Sequence, residues 1–286
     1  MSNREQVHAL FRGSAEIGKK LRTLALLCEL AAGVLAVYGV FAQGGSWAAW
    51  QPLVAFGLVA AALLVRAFAV YLERFAESCR RESIRAYAAG TDIEFARLSS
   101  LRSDAPVWAE RIASRLPASS MDEYYEPDYP EGEARLREIY ASSAFHTWHL
   151  LRNWAWIIGL AGVVLLVGTF VIVYGLATNP LPAEATADVL DALCSIVLAV
   201  LSLRALETAL SAWNAASATR KIADALVTKP LPSGKSLDGL VRDYDFERTG
   251  CPPIPTLLYK WRRDELAREW QICKKSLSCQ PQSIET

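Results

Sequence analysis

The sequence predicts an all-α integral membrane protein: four transmembrane helices in two hairpins, with a helical cytoplasmic domain formed by helix extensions, the central segment and the C-terminal region. Three observations predict it. Hydrophobic residues make up 52% of the 286 residues and gather into four runs, roughly 24–42, 52–72, 155–177 and 189–210. Each is long enough, at ~1.5 Å per residue, to cross a hydrocarbon core of ~30 Å. Lys and Arg are distributed unevenly: the links 43–51 and 178–188 contain none, and only Arg66 and Arg204 fall inside the apolar runs. By the positive-inside rule both termini and the central segment face the cytoplasm. Finally, the stretch from Gly132 to Leu176 begins charged (Glu133, Arg135, Arg137, Glu138), turns aromatic (Phe145, Trp148, Trp154, Trp156) and becomes apolar without a single Pro. One helix can therefore run from water into lipid, and can pass a signal from one to the other.

Residues 1–22 read as a cytoplasmic amphipathic helix, with Val7, Leu10, Phe11, Ile17 and Leu21 approximating one stripe. The first apolar run follows this charged segment and lacks a small-residue cleavage pattern, so no cleavable signal peptide is expected. Residues 23–72 form transmembrane hairpin 1, with Trp47 and Trp50 at the outer interface. Glu29 and Arg66 stand at similar depth in this antiparallel hairpin and can pair; the plainer alternative has Arg66 snorkelling to the headgroups.

Residues 73–153 form a cytoplasmic helical segment. The second span continues as a charged helix to the glycine stop at Gly90, and shorter helices are expected over Asp92–Leu101 and Pro106–Leu116. An acidic stretch follows, with Asp122, Glu123, Glu126, Asp128, Glu131 and Glu133 around Tyr124, Tyr125 and Tyr129. As a solvated loop it needs no ligand. As a contact site, its tyrosines and the neighbouring Arg135 and Arg137 can stack on and clamp a nucleotide-like anion.

Residues 154–211 form transmembrane hairpin 2. Ala161, Gly168 and Gly175 recur every seven residues in its first span, as do Ser195, Ser202 and Ala209 in its second, the pattern of close helix approach in membranes. Arg204 and Glu207 match Glu29 and Arg66 in depth, so two acids and two bases form an intramembrane belt that either locks the hairpins or lines a pore. Residues 212–275 form a cytoplasmic C-terminal region ending in a helix from Thr256 to about Lys275, with Lys260, Arg262, Arg263 and Arg268 among Trp261 and Trp270; residues 276–286 read as a disordered tail.

The sequence carries no complete catalytic or metal-binding motif. Ser233-Gly234-Lys235-Ser236 resembles the end of a phosphate loop, but Lys229 stands where its first Gly belongs and no strand precedes it. His146 and His149 are one turn apart without a third ligand at helical spacing. The six Cys form no CxxC pair. No nucleophile elbow, HExxH or dinucleotide loop is present, so neither an enzyme nor a cofactor or metal site is expected. Basic and acidic residues balance at 30 each, which gives no footprint for a nucleic-acid polymer. No span carries the midplane Pro/Gly break of a transporter.

Two hairpins flanking a middle of about eighty residues, Tyr124-Tyr125, Arg135-Leu136, Ser143-Ala144-Phe145, and above all Pro252-Pro253-Ile254-Pro255-Thr256 with Leu258-Tyr259-Lys260 and Arg262-Arg263-Asp264-Glu265-Leu266, resemble the SMODS-associating four-transmembrane effectors of bacterial anti-phage systems. The resemblance implies a bacterial inner-membrane effector that a cyclic oligonucleotide switches to oligomerise or open, permeabilising the membrane. The candidate contacts to that ligand are Tyr124, Tyr125, Arg135, Arg137, Lys260, Trp261, Arg262 and Arg263. The small faces point to a homo-oligomer in the bilayer. A non-catalytic scaffold recruiting a cytoplasmic partner is the alternative.

Overall fold

In a computed structural model, which describes residues 2–41, 50–106, 109, 111, 128–178, 185–228, 231–252 and 254–278, the chain is helical and has no strand among the described residues. The helices are α1 (Asn3–Phe41), α2 (Gln51–Ala89), α3 (Phe95–Asp104), α4 (Glu133–Thr178), α5 (Ala185–Val227), α6 (Leu237–Gly250) and α7 (Thr256–Ser278). Three are long and apolar enough to cross a membrane, over Leu53–Ala89 of α2, Glu133–Val171 of α4 and Ser195–Val227 of α5. The remaining apolar run, 24–42, lies on α1, which is one helix from Asn3 through Phe41 rather than an amphipathic helix followed by a span. Charged and apolar parts likewise share single helices elsewhere: α4, at 46 residues, is ~69 Å long.

Contacts divide the chain into two units. One comprises Ile17–Tyr71 and Trp154–Ser211. Its interior is made of small residues: Ala32, Ala36, Ala55 and Val59 pack with Val197 and Leu198. Large apolar side chains point outward, among them Leu30, Val34, Phe56, Leu64, Leu160, Phe170 and Leu203. An apolar exterior around an alanine-lined interior is the arrangement expected in lipid, where helices associate by close packing. The close approach of α4 to α5 uses Gly159 and Gly162. A Cβ on Gly162 would lie 3.1 Å from the side chains of Ala205 and Leu206, and one on Gly159 would lie 3.4 Å from Ala209. Of the two sevenfold faces expected to make this contact, that of α4 points elsewhere, with Ala161 and Gly168 exposed, whereas on α5 Ser202 is buried and Ala209 is the residue that meets Gly159.

The other unit comprises Met1–Glu16, Leu72–Asn153 and Ala212–Thr286. One core joins α2, α4, α5, α6 and α7 through Ile84, Ile139, Tyr140, Leu226, Leu240, Tyr244 and Trp270. A second joins α1, α2 and α3 through Val7, Leu10, Phe75, Cys79, Leu98 and Leu101. α2 ends in a Schellman motif. Gly90, with φ +69, donates to Tyr87 O (3.3 Å), and Thr91 N donates to Ala86 O (3.0 Å). Glycine is required there because the left-handed backbone penalises a side chain. The chain after Gly90 does not turn straight into a helix. Asp92 accepts from the N–H groups of Asn3 (3.0 Å) and Arg4 (2.7 Å), capping α1 from a distance, and α3 starts only at Phe95. The Arg4 N–H, with those of Asn3 and Ile93, holds the Asp92 carboxyl below its usual range.

His8 lies buried in the second core with its ring centroid 5.7 Å from that of Phe11. Burial, with Arg12 adding repulsion, lowers its pKa from 6.5 to about 4. The folded state then binds fewer protons than the unfolded state between those values, so stability is full above pH 6.5 and falls as the pH drops towards 4. At pH 5 the loss is about 2 kcal/mol, at ~1.4 kcal/mol per unit. His8→Leu is expected to flatten this acid limb in melts run from pH 7.5 to 5; an unchanged slope would show that His8 does not carry it.

α6 precedes the one helix expected in the C-terminal region, that from Thr256. Ser236 caps it by accepting from Gly239 N (3.1 Å), and Leu240, Val241 and Tyr244 form its buried face. α7 continues to Ser278, beyond the helix end expected at Lys275. The expected helix over Pro106–Leu116, the loop containing Tyr124 and Tyr125, most of the link 178–188, Trp47 and the tail from residue 279 lie wholly or largely outside the described residues.

Candidate functional site

Three of the four charges expected within the apolar runs meet in the apolar unit. Arg66 Nη2 on α2 donates to Glu29 Oε2 on α1 at 2.7 Å, and Arg204 Nη1 on α5 pairs with Glu29 Oε1 at 3.3 Å. One carboxylate thus ties three helices together. The pairing offsets the penalty of holding charge among apolar groups, roughly 2.5–3.5 kcal/mol per residue. The cluster carries a surplus positive charge. Glu207, which would neutralise it, stands apart: it is exposed and makes no ion pair among the described residues.

The arginines expected to clamp a ligand are engaged at helix ends. Arg135 lies 4.8 Å from the centroid of the Tyr87 ring and donates to Tyr129 O (3.2 Å) and Tyr87 O (3.4 Å). Arg137 donates to Leu226 O at 2.6 Å and to Thr228 O, covering the C-terminal carbonyls of α5. A guanidinium there satisfies orphan acceptors and the negative end of the helix dipole. Arg262 pairs with Glu265 one turn on (2.5 Å), while Lys260, Trp261 and Arg263 are exposed on α7. Tyr124 and Tyr125 lie outside the described residues. His146 and His149 pack around Phe145, at centroid distances of 5.7 and 4.5 Å, and His146 bonds through Nδ1 to Ser142 O.

Two features of the polar unit were not foreseen. The first is a buried charged core. Arg80 forks onto Glu77 Oε1 (2.8 and 2.5 Å) and reaches Asp245 Oδ1 (3.3 Å). Arg248 donates to Glu77 Oε2 (3.0 Å), Thr147 Oγ1 (3.0 Å) and the Tyr244 hydroxyl (3.1 Å). The Tyr140 hydroxyl donates to Asp245 Oδ2 at 3.3 Å, and the Arg80 guanidinium lies over the Tyr140 and Tyr244 rings. Burial pushes the Asp245 carboxyl up, against the pull of Arg80. Glu77 and Arg80 interrupt the buried stripe of Leu72, Ala76, Cys79 and Ser83 on α2, a signal that was present in the sequence.

The second is an open groove of about 400 Å³ between α5 and α6. Lys221, Lys235, Asn214 and Ser217 offer donors, Phe246 presents an exposed ring, and Asp243 and Glu247 complete the lining. Lys221 and Lys235 make no ion pair among the described residues. Cations, a stacking face and carboxylates together suit a phosphorylated ligand with a base, whose amino groups the acids can accept. Among the described residues no cluster of His, Cys, Asp and Glu has metal-binding geometry. Comparison of the chain with protein-family models, with curated proteins and with solved structures finds no match.

Proposed function

We propose that this chain is a membrane effector of a bacterial anti-phage defence system, which a cyclic oligonucleotide switches to permeabilise the inner membrane. It crosses the bilayer four times, with both termini cytoplasmic, and works as a homo-oligomer. The observation that carries this reading is the sharing of Glu29 between Arg66 and Arg204. Three apolar helices held by one carboxylate form a closed state that a modest differential can release. The fourth span is supported by α1, where Leu27, Leu30, Val34 and Tyr38 are exposed on the helix that supplies Glu29. Oligomerisation is supported by Ala161 and Gly168, small and exposed on α4. The groove of Lys221, Lys235 and Phe246 is the receiver preferred over Arg135 and Arg137, each of which already donates to two backbone carbonyls.

Dye release from liposomes holding the purified chain, challenged with a panel of cyclic di- and trinucleotides, tests the proposal. One compound is expected to cause release, and Lys221→Glu with Lys235→Glu to weaken its potency at least tenfold. Silence across the panel from a folded, inserted protein would contradict the effector reading and favour a scaffold, whose signature is a stable co-purifying partner.

A further inference from the structure

The first turn of α7 has an exposed apolar surface that neither core uses. Leu257 is 80% and Trp261 73% exposed, while Leu258 between them is buried and docks the helix. The position of this turn follows from how α7 lies along α4. Near its end Lys274 pairs with Glu138; earlier, the Trp270 ring is 5.5 Å from Phe145; earlier still, Arg262 is near enough to His149 to act on it electrostatically. Partners advance along α4 as α7 is read backwards, so the two helices are antiparallel. Continuing that register brings Trp261 to about residue 151 of α4 and Leu257 to about residue 155, where the apolar run of α4 begins. The preceding segment agrees, since Arg248 at the end of α6 reaches Thr147. Arg152 and Arg220 flank the Trp148 ring at 5.8 and 5.3 Å, and Lys260 and Arg263 are exposed on α7 on either side of Trp261 in sequence.

We propose that this turn is a membrane-surface anchor. Leu257 and Trp261 enter the interfacial layer of the leaflet that α4 crosses, and Lys260, Arg263, Arg152 and Arg220 meet lipid phosphates. Tryptophan favours that layer, and basic side chains beside it are drawn to anionic headgroups. The Pro-containing link before Thr256 fixes where the turn emerges, since proline restricts the backbone before a helix start. The inference rests on α4 spanning a bilayer and not on any ligand.

Benzoylphenylalanine placed at Leu257, Trp261, Ile272 or Val164 of the full chain, in vesicles of phosphatidylethanolamine and phosphatidylglycerol, tests it by photocrosslinking and mass spectrometry. Val164, exposed on the apolar part of α4, is the lipid-facing control. Ile272, 70% exposed on α7 and ~22 Å along the helix from Leu257, is the water-facing control. Lipid adducts are expected at Val164, Leu257 and Trp261, at least fivefold above Ile272. Lys260→Glu with Arg263→Glu is expected to cut the phosphatidylglycerol share at Leu257 several-fold. Adducts at Val164 but not at Leu257, a chain-to-chain adduct at Leu257 in place of lipid, or equal labelling at Ile272 would each overturn the anchor. Absence of lipid at Val164 as well would overturn the spanning of α4 with it.

Discussion

Arg80→Leu is expected to destabilise the polar unit by about 3–5 kcal/mol, the range for removing one partner of a buried ion pair. The side chain is 4% exposed and serves Glu77 and Asp245 at once, while its guanidinium covers two tyrosine rings. Leucine would leave Glu77 with Arg248, and Asp245 with the distant Arg85 (3.9 Å) and the Tyr140 hydroxyl. Arg80→Lys keeps the charge but loses the fork and the stacking, and should recover only part of the loss. The comparison is Arg97→Leu, which breaks an exposed pair with Glu82 (2.7 Å) and should cost under ~1 kcal/mol. Denaturant melts of the three variants in detergent check the ranking; equal midpoints for Arg80→Leu and Arg97→Leu would show that the buried core does not hold the unit together.

Glu29→Gln is expected to release the three-helix tie. The amide keeps the size and one acceptor but removes the only anion paired with Arg66 and Arg204 among the described residues; their side chains are 30% and 23% exposed. Two guanidiniums are then left to repel each other among apolar helices. Under the proposed function, cells expressing this variant take up propidium iodide and stop growing without any signal, while cells expressing the wild type do not. A variant that inserts, folds and stays as tight as wild type would show that the tie is static.

Much of this arrangement is legible in the sequence because it follows from local rules. The apolar runs of α2, α4 and α5 need only length and composition, and Gly90 needs only the preference of a helix end for a left-handed residue. The Glu29–Arg66 pair can be read from equal distance to the ends of two adjoining apolar runs. What is not legible depends on packing between distant segments. Asp245 meets Arg80 across 165 positions, and nothing local marks that meeting. Arg135 and Arg137 read as ligand clamps because their carbonyl partners, Tyr87, Leu226 and Thr228, have no sequence signature. Gly159 and Gly162 were hidden because a sevenfold count selects Ala161 and Gly168, whereas helix crossing selects the face that meets Ala205, Leu206 and Ala209. α6 was readable and missed: Ser236 followed by Leu237, Leu240, Val241 and Tyr244 is a cap and an apolar stripe, obscured by the acids between them.

The most direct measurement is current across a planar bilayer holding the purified wild-type chain, recorded while the compound active in dye release is perfused onto one face. The account predicts current on addition from the side bearing the termini, loss of that current on washout, and its presence without ligand for Glu29→Gln. A flat record from wild type at saturating compound, with the protein shown to be inserted, would contradict it.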